Sequence, residues 1–144
     1  MVVSAEFVLD TSFSMPWLFE NEKNPLSDEA WERLVAETAI AHVPGIWAME
    51  IVNVAVRGPR NDAPKPSAEK VEGFFAVIRR MPLRFHYQGL ELFIDQATPL
   101  MVKHGLTSYD SAYLLLAKKL GHPLATRDKK IRAAAVAEGV EVMK

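Results

Sequence analysis

The stretch TSYDSAYLLLAKKLGHPLATRD, residues 107–128, sets the reading of the whole chain. Ser108–Leu120 has the apolar density of a buried helix, and Gly121 closes it. Pro123–Thr126 follows as a short strand, with Asp128 just beyond its carboxyl end. A new helix, Asp128–Glu138, starts there and is closed by Gly139, and Val140–Met143 reads as a last strand. Working outward, the same rhythm recurs. Glu6–Leu9 is a strand-length apolar run ending at Asp10. Ser12–Phe19 reads as a helix weakened by Pro16. Ser27 is expected to cap a helix running to Thr38, with Asp28 and Glu29 in its first turn. Ala39–Val43 is a second strand, followed by the apolar helix Ile46–Arg57 and a stop at Gly58-Pro59. The Pro-rich loop Pro59–Ser67 precedes a helix over Ala68–Met81, a third strand at Leu83–His86 and a helix over Leu90–His104. Alternating β and α elements of this length predict an α/β fold: a three-layer α/β/α sandwich with a central parallel sheet.

At 144 residues, 1–144 is expected to form a single domain. Half the residues are hydrophobic (49%) and a quarter charged (24%), enough for a packed core and too apolar for wholesale disorder. With no cysteine, a disulfide scaffold, a thiol nucleophile and thiolate-held metals are excluded. The net charge is −1, which excludes a uniformly basic coat, but the charge is unevenly distributed. Residues 1–50 hold nine acids and two bases, and 51–144 hold fifteen bases and nine acids. That split suggests an acidic site beside a basic surface. The N-terminus lacks the basic start of a signal peptide, and no apolar run nears the ~20 residues of a membrane helix. A soluble, cytoplasmic protein with no membrane association is the expectation.

Four acids stand in apolar company. Asp10 ends FVL, Glu50 interrupts GIWAMEIVNVAV, Asp110 opens SYDSAYLLLA, and Asp128 follows PLAT. A carboxylate among apolar neighbours loses hydration and needs a cation or hydrogen-bond donors. Asp110 and Asp128 also suit helix caps. In open parallel sheets, sites form beyond the carboxyl ends of strands where the winding reverses. If the first and fourth strands are neighbours there, Asp10 and Asp128 share a crevice flanked by Glu50 and Asp110. Four such acids cannot all stay ionised without cations, and an oxygen-only set favours Mg²⁺ or Mn²⁺. Such ions activate water in phosphodiester cleavage, so the residues alone suggest a metal-assisted nuclease or phosphatase.

The ordered strings VLDTS (8–12), the lone Glu50, TSYDSAYLLLA (107–117) and LATRDKKI (124–131) resemble a PIN-domain ribonuclease. Order, spacing and length are similar in particular to the VapC-type toxins of toxin–antitoxin pairs. The resemblance implies that Asp10, Glu50, Asp110 and Asp128 are the catalytic acids and hold Mg²⁺ (or Mn²⁺), with Asp128 the most variable of the four. Ser12 and Thr126 would orient carboxylates or water. It further implies an endoribonuclease acting on single-stranded RNA, a homodimer, and a cognate VapB-like antitoxin whose Arg would enter the pocket. A housekeeping PIN nuclease and a non-catalytic PIN-like module binding RNA or protein are the alternatives. A haloacid-dehalogenase-like phosphatase would want an acid where Ser12 stands, and a receiver domain an Asp where the third strand ends in His86-Tyr87.

The remaining polar and aromatic residues carry weaker signals. His42, His86, His104 and His122 are scattered without metal-ligand spacing, and His104 suits a helix C-terminus. Arg79, Arg80, Arg84, Lys118, Lys119, Arg127, Lys129, Lys130 and Arg132 read mostly as solvated helix faces, those near Asp128 as possible phosphate contacts. Phe13, Trp17 and Leu18 are expected either to line a groove for an antitoxin helix or to complete the core.

Overall fold

The computed structural model describes residues 3–59 and 64–144. Four parallel strands form one sheet in the order β3-β2-β1-β4: β1 (Glu6–Leu9), β2 (Ile40–Pro44), β3 (Leu83–His86) and β4 (Leu124–Ala125). Helices cover both faces, as the β/α alternation requires. The chain winds outward from β1 through β2 to β3, then crosses back to lay β4 on the other side of β1. That reversal makes the carboxyl ends of β1 and β4 the mouth of a crevice. The pairing runs on past β1, because the Asp10 amide donates to the Ala125 carbonyl at 3.0 Å.

Phe7, Val8 and Leu9 are buried, so β1 is covered on both faces. Alternate residues point to opposite sides, and each fully buried side chain of this kind contributes about 2–3 kcal/mol. Helix α7 (Ser108–Leu120) runs under β1, β2 and β4, with Ser111–Ala117 continuously buried. Thr107 caps it by accepting from the Asp110 amide, and Gly121, at φ 70°, ends it in the left-handed region that glycine adopts freely. Helix α3 (Ile46–Arg57) packs on β2, α4 (Ala68–Ile78) on α3, and α8 (Lys129–Ala137) on α7. Among the described residues no helix is long and apolar enough to cross a membrane.

Several elements depart from the sequence reading, each for a physical reason. The helix expected at Ser12–Phe19 is a single turn, α1 (Thr11–Ser14), followed by a tighter turn at Met15–Trp17, because Pro16 has no N–H to continue the ladder. The cap of α2 (Pro25–Val35) is Asn24, not Ser27. Pro25 occupies the first helical position, and the Ser27 amide donates to Asn24 Oδ1 at 3.1 Å. Ser27 Oγ is released to donate to the Phe13 carbonyl at 2.7 Å, joining α2 to α1. The helix expected at Leu90–His104 runs its full length but widens in its middle. α5 (Leu90–Leu92) leads into a wide turn at Phe93–Ala97 and then α6 (Thr98–His104), since Pro99 cannot donate to the carbonyl four residues before it. Val140–Met143 forms one parallel bridge, Val142 to Leu124, rather than a strand. Of the loop Pro59–Ser67, residues 60–63 lie outside the described residues, and Ser67 caps α4 through the Lys70 amide. Phe13 and Leu18 are buried, and Trp17 donates to the Ser27 carbonyl while packing on Trp31 at 5.3 Å. Of the two roles expected for them, Phe13 and Leu18 take that of core residues, and Trp17 packs half-buried against the core.

Candidate active site

Asp10 stands where β1 ends and α1 begins, only 5% exposed, at the sheet's topological reversal. Its Oδ2 accepts from two hydroxyls, Ser12 Oγ and Thr126 Oγ1, each at 2.6 Å. A hydroxyl has one proton to give, so both oxygens, with their protons on Asp10, are left as acceptors. Ser12 Oγ accepts from the Arg127 amide at 2.9 Å, and Thr126 Oγ1 from the Asp128 amide at 3.1 Å. The backbone leading into α8 is thereby locked to the carboxylate. Burial pushes the Asp10 carboxyl up to about 6; the two hydroxyls act against this, and the charges of Glu50 and Asp128 add to it.

Glu50 projects from α3 toward the same place, half-buried. Tyr113 of α7 donates its phenol proton to Glu50 Oε1, and Thr11 Oγ1 lies 3.3 Å from the same oxygen. Thr11 and Tyr113 also touch at 3.2 Å. Burial raises the Glu50 carboxyl above its ordinary range, the two hydroxyls oppose the rise, and the Asp110 charge adds to it. Asp110 lies in the first turn of α7, half-buried, with its backbone amide on the Thr107 cap. Asp128 caps α8 through Oδ1, which accepts from the Ile131 amide at 3.0 Å. Its other oxygen has no partner among the described residues. The four acids are thus electrostatic neighbours in the order Asp128, Asp10, Glu50, Asp110, although no three of them bring oxygens within 4.8 Å of one another.

Among the described residues none of the four acids forms an ion pair. Arg127 reaches instead to Glu22 Oε2 at 3.1 Å, and Arg132 to the Thr126 carbonyl at 3.0 Å. Lys129 and Lys130 are exposed at the rim. A scan against protein-family models matches "PIN domain" over residues 7–137. The chain belongs to the PIN-domain family. A curated relative, "Ribonuclease VapC3" of Pyrobaculum aerophilum, is 33% identical to this PIN-domain protein over 108 residues, 72% of this chain and 77% of that one. A crystal structure of PAE2754, also from Pyrobaculum aerophilum, superposes with a TM-score of 0.61 at 16% identity. It covers 90% of this chain and 86% of the other, and so supports the fold.

Two residues of this PIN-domain pocket escaped the reading of the sequence. Thr11 and Tyr113 hold Glu50, and the only hint was their place inside the strings VLDTS and TSYDSAY. The histidines correct a second expectation. His42 and His122 are not scattered but meet at Glu6. His104 pairs with Glu138 at 2.9 Å, together with Lys103 and Lys118, instead of acting only on its own helix end.

Proposed function

We propose that this PIN-domain protein is a metal-dependent endoribonuclease that cuts single-stranded RNA, and that it is the toxin of a toxin–antitoxin pair. One observation carries the reading: Asp10 is a buried carboxylate, flanked by two further carboxylates, without a cationic partner among the described residues. Such a group calls for a cation, and an all-oxygen donor set suits Mg²⁺ or Mn²⁺. The relative named as a ribonuclease supports the choice of RNA over a phosphomonoester.

In this reading Asp10, Glu50 and Asp110 hold the ion, and Asp128 contributes its uncapped oxygen at the edge. The bound ion would lower the pKa of water and neutralise the charge that builds on the scissile phosphate. The protein's own residues supply order. Ser12 and Thr126 fix Asp10 Oδ2, leaving Oδ1 to face the pocket. Tyr113 and Thr11 hold Glu50 Oε1 in the same way, leaving Oε2 as the free oxygen. Lys129 and Lys130 offer phosphates a basic rim beside an otherwise repellent pocket. An antitoxin of VapB type would restrain the enzyme by placing an Arg guanidinium on these carboxylates. The protein is further proposed to act as a homodimer.

The test is cleavage of a 5′-labelled single-stranded RNA with Mg²⁺ or Mn²⁺. Products carrying 5′ phosphates, and loss of cleavage in both EDTA and Asp10→Asn, are expected. Full cleavage in excess EDTA would refute the metal-dependent reading.

A further inference from the structure

Glu6 opens β1, at the opposite end of the strand from Asp10. His42 pairs in register with Val8, so its side chain shares the sheet face of Glu6. His122 lies in the turn between α7 and β4. Their polar atoms converge: His42 Nε2 is 2.9 Å and His122 Nε2 3.7 Å from one oxygen, Glu6 Oε1. The two imidazoles stack at 5.1 Å with 22° between their planes, and the three ligand atoms all lie within 4.8 Å of one another. We propose that Glu6, His42 and His122 form a second metal site, taking one borderline divalent cation of the Zn²⁺ class.

The geometry suits the ion. Tetrahedral zinc with bonds near 2.0–2.1 Å sets its ligand atoms about 3.3 Å apart. Two of the three separations, 2.9 and 3.7 Å, straddle that value, and all three ligand atoms lie within 4.8 Å of one another. Two nitrogens and one carboxylate oxygen are a donor set for zinc rather than magnesium. His86 supplies the outer support. Its Nε2 lies 2.8 Å from His42 Nδ1; with an ion bound it would accept the Nδ1 proton and leave the His42 Nε2 lone pair for the metal. Access is open on one side: His42 is 8% exposed, whereas the Glu6 and His122 side chains are 43% and 29% exposed. Arg84 and Lys119 stand near Glu6 and His86, and their charges oppose a dication, which strong nitrogen donors must overcome.

Four residues of strand separate Glu6 from Asp10, about 13 Å, so this ion does not take part in the carboxylate pocket. It would tie β1, β2 and the α7–β4 turn together. The experiment is calorimetric titration of the metal-stripped full chain with Zn²⁺ in excess Mg²⁺, with Co²⁺ as a spectroscopic probe. Expected are one equivalent of Zn²⁺, a raised melting temperature, and the visible bands of tetrahedral Co²⁺. Glu6→Gln and His122→Ala should each remove that equivalent while retaining Mg²⁺-supported RNA cleavage, and Asp10→Asn should keep it. Should either variant fail to fold, His86→Ala decides, with affinity expected to fall about 10- to 100-fold. The proposal is overturned if the wild type takes up no Zn²⁺, or if Glu6→Gln and His122→Ala both retain it. It is equally overturned if Asp10→Asn alone loses it, or if His86→Ala binds with unchanged affinity.

Discussion

Replacing Asp10 with Asn should stabilise the metal-free protein at neutral pH and abolish its cleavage of RNA. Asp10 is almost fully buried, and burial lifts its carboxyl from the ordinary 3.8 to about 6. Keeping it ionised at pH 7 therefore costs the fold about 3 kcal/mol. The sign follows from the folded value lying above the unfolded one. The protonated form's stabilisation is complete below about pH 4 and is lost as pH rises through 6. Asn keeps the shape and one oxygen for the Ser12 and Thr126 hydroxyls, but its amide replaces an oxygen without a partner among the described residues, which trims the gain. A net of about 1–3 kcal/mol raises the melting temperature by roughly 3–10 °C for a chain of this length. The assay is a thermal melt in EDTA from pH 4 to 8, with wild type and variant side by side. The two curves should converge at pH 4 and separate toward pH 7. Adding Mg²⁺ should then lift the wild type and leave the variant behind. A difference that is the same at pH 4.5 and 7.5, or a variant less stable than wild type at pH 7.5, would refute the reasoning.

Three further substitutions probe the supports of the pocket and the fold. Tyr113→Phe removes the proton donated to Glu50 Oε1, so the Glu50 carboxyl should rise further and the acid limb of the cleavage pH profile should move to higher pH; an unmoved limb would count against Glu50 in the pocket. Thr126→Val keeps the volume of a fully buried residue but strips a hydroxyl from Asp10 and an acceptor from the Asp128 amide. It should lose about 2 kcal/mol in urea melts and most cleavage, whereas unchanged stability would contradict the hydrogen bonding described. Asn24→Ala should cost about 1 kcal/mol through the lost cap of α2 and leave cleavage of RNA intact in the same assay.

The sequence by itself determined whatever depends on neighbours in the chain. The strands at 6–9 and 83–86 and the helices at 46–57 and 108–120 follow from apolar runs, periodicity and closing glycines, and the structure has them there, while the helix expected at 68–81 starts at Ala68 and ends at Ile78. Alternation of those elements was enough for a parallel sheet between helices, and isolated acids in apolar text marked the carboxylates. Local competition blurred the edges: Asn24-Pro25 outcompeted Ser27 as the start of α2, Pro16 broke a helix that periodicity alone would continue, and Pro99 widened a turn of a helix that runs on.

The tertiary structure alone decided which of these groups meet. Thr126 lies 116 residues from Asp10, and Tyr113 lies 63 residues from Glu50. Both contacts exist because the chain crosses back to set β4 beside β1 and lays α7 beneath them. Glu6 and His42 are 36 residues apart and meet only because β1 and β2 pair in one register, where a slip of one residue would turn His42 to the opposite face. No local propensity encodes such a pairing. It is set by how apolar surface is buried most completely across the whole sheet, a sum over residues from every part of the chain.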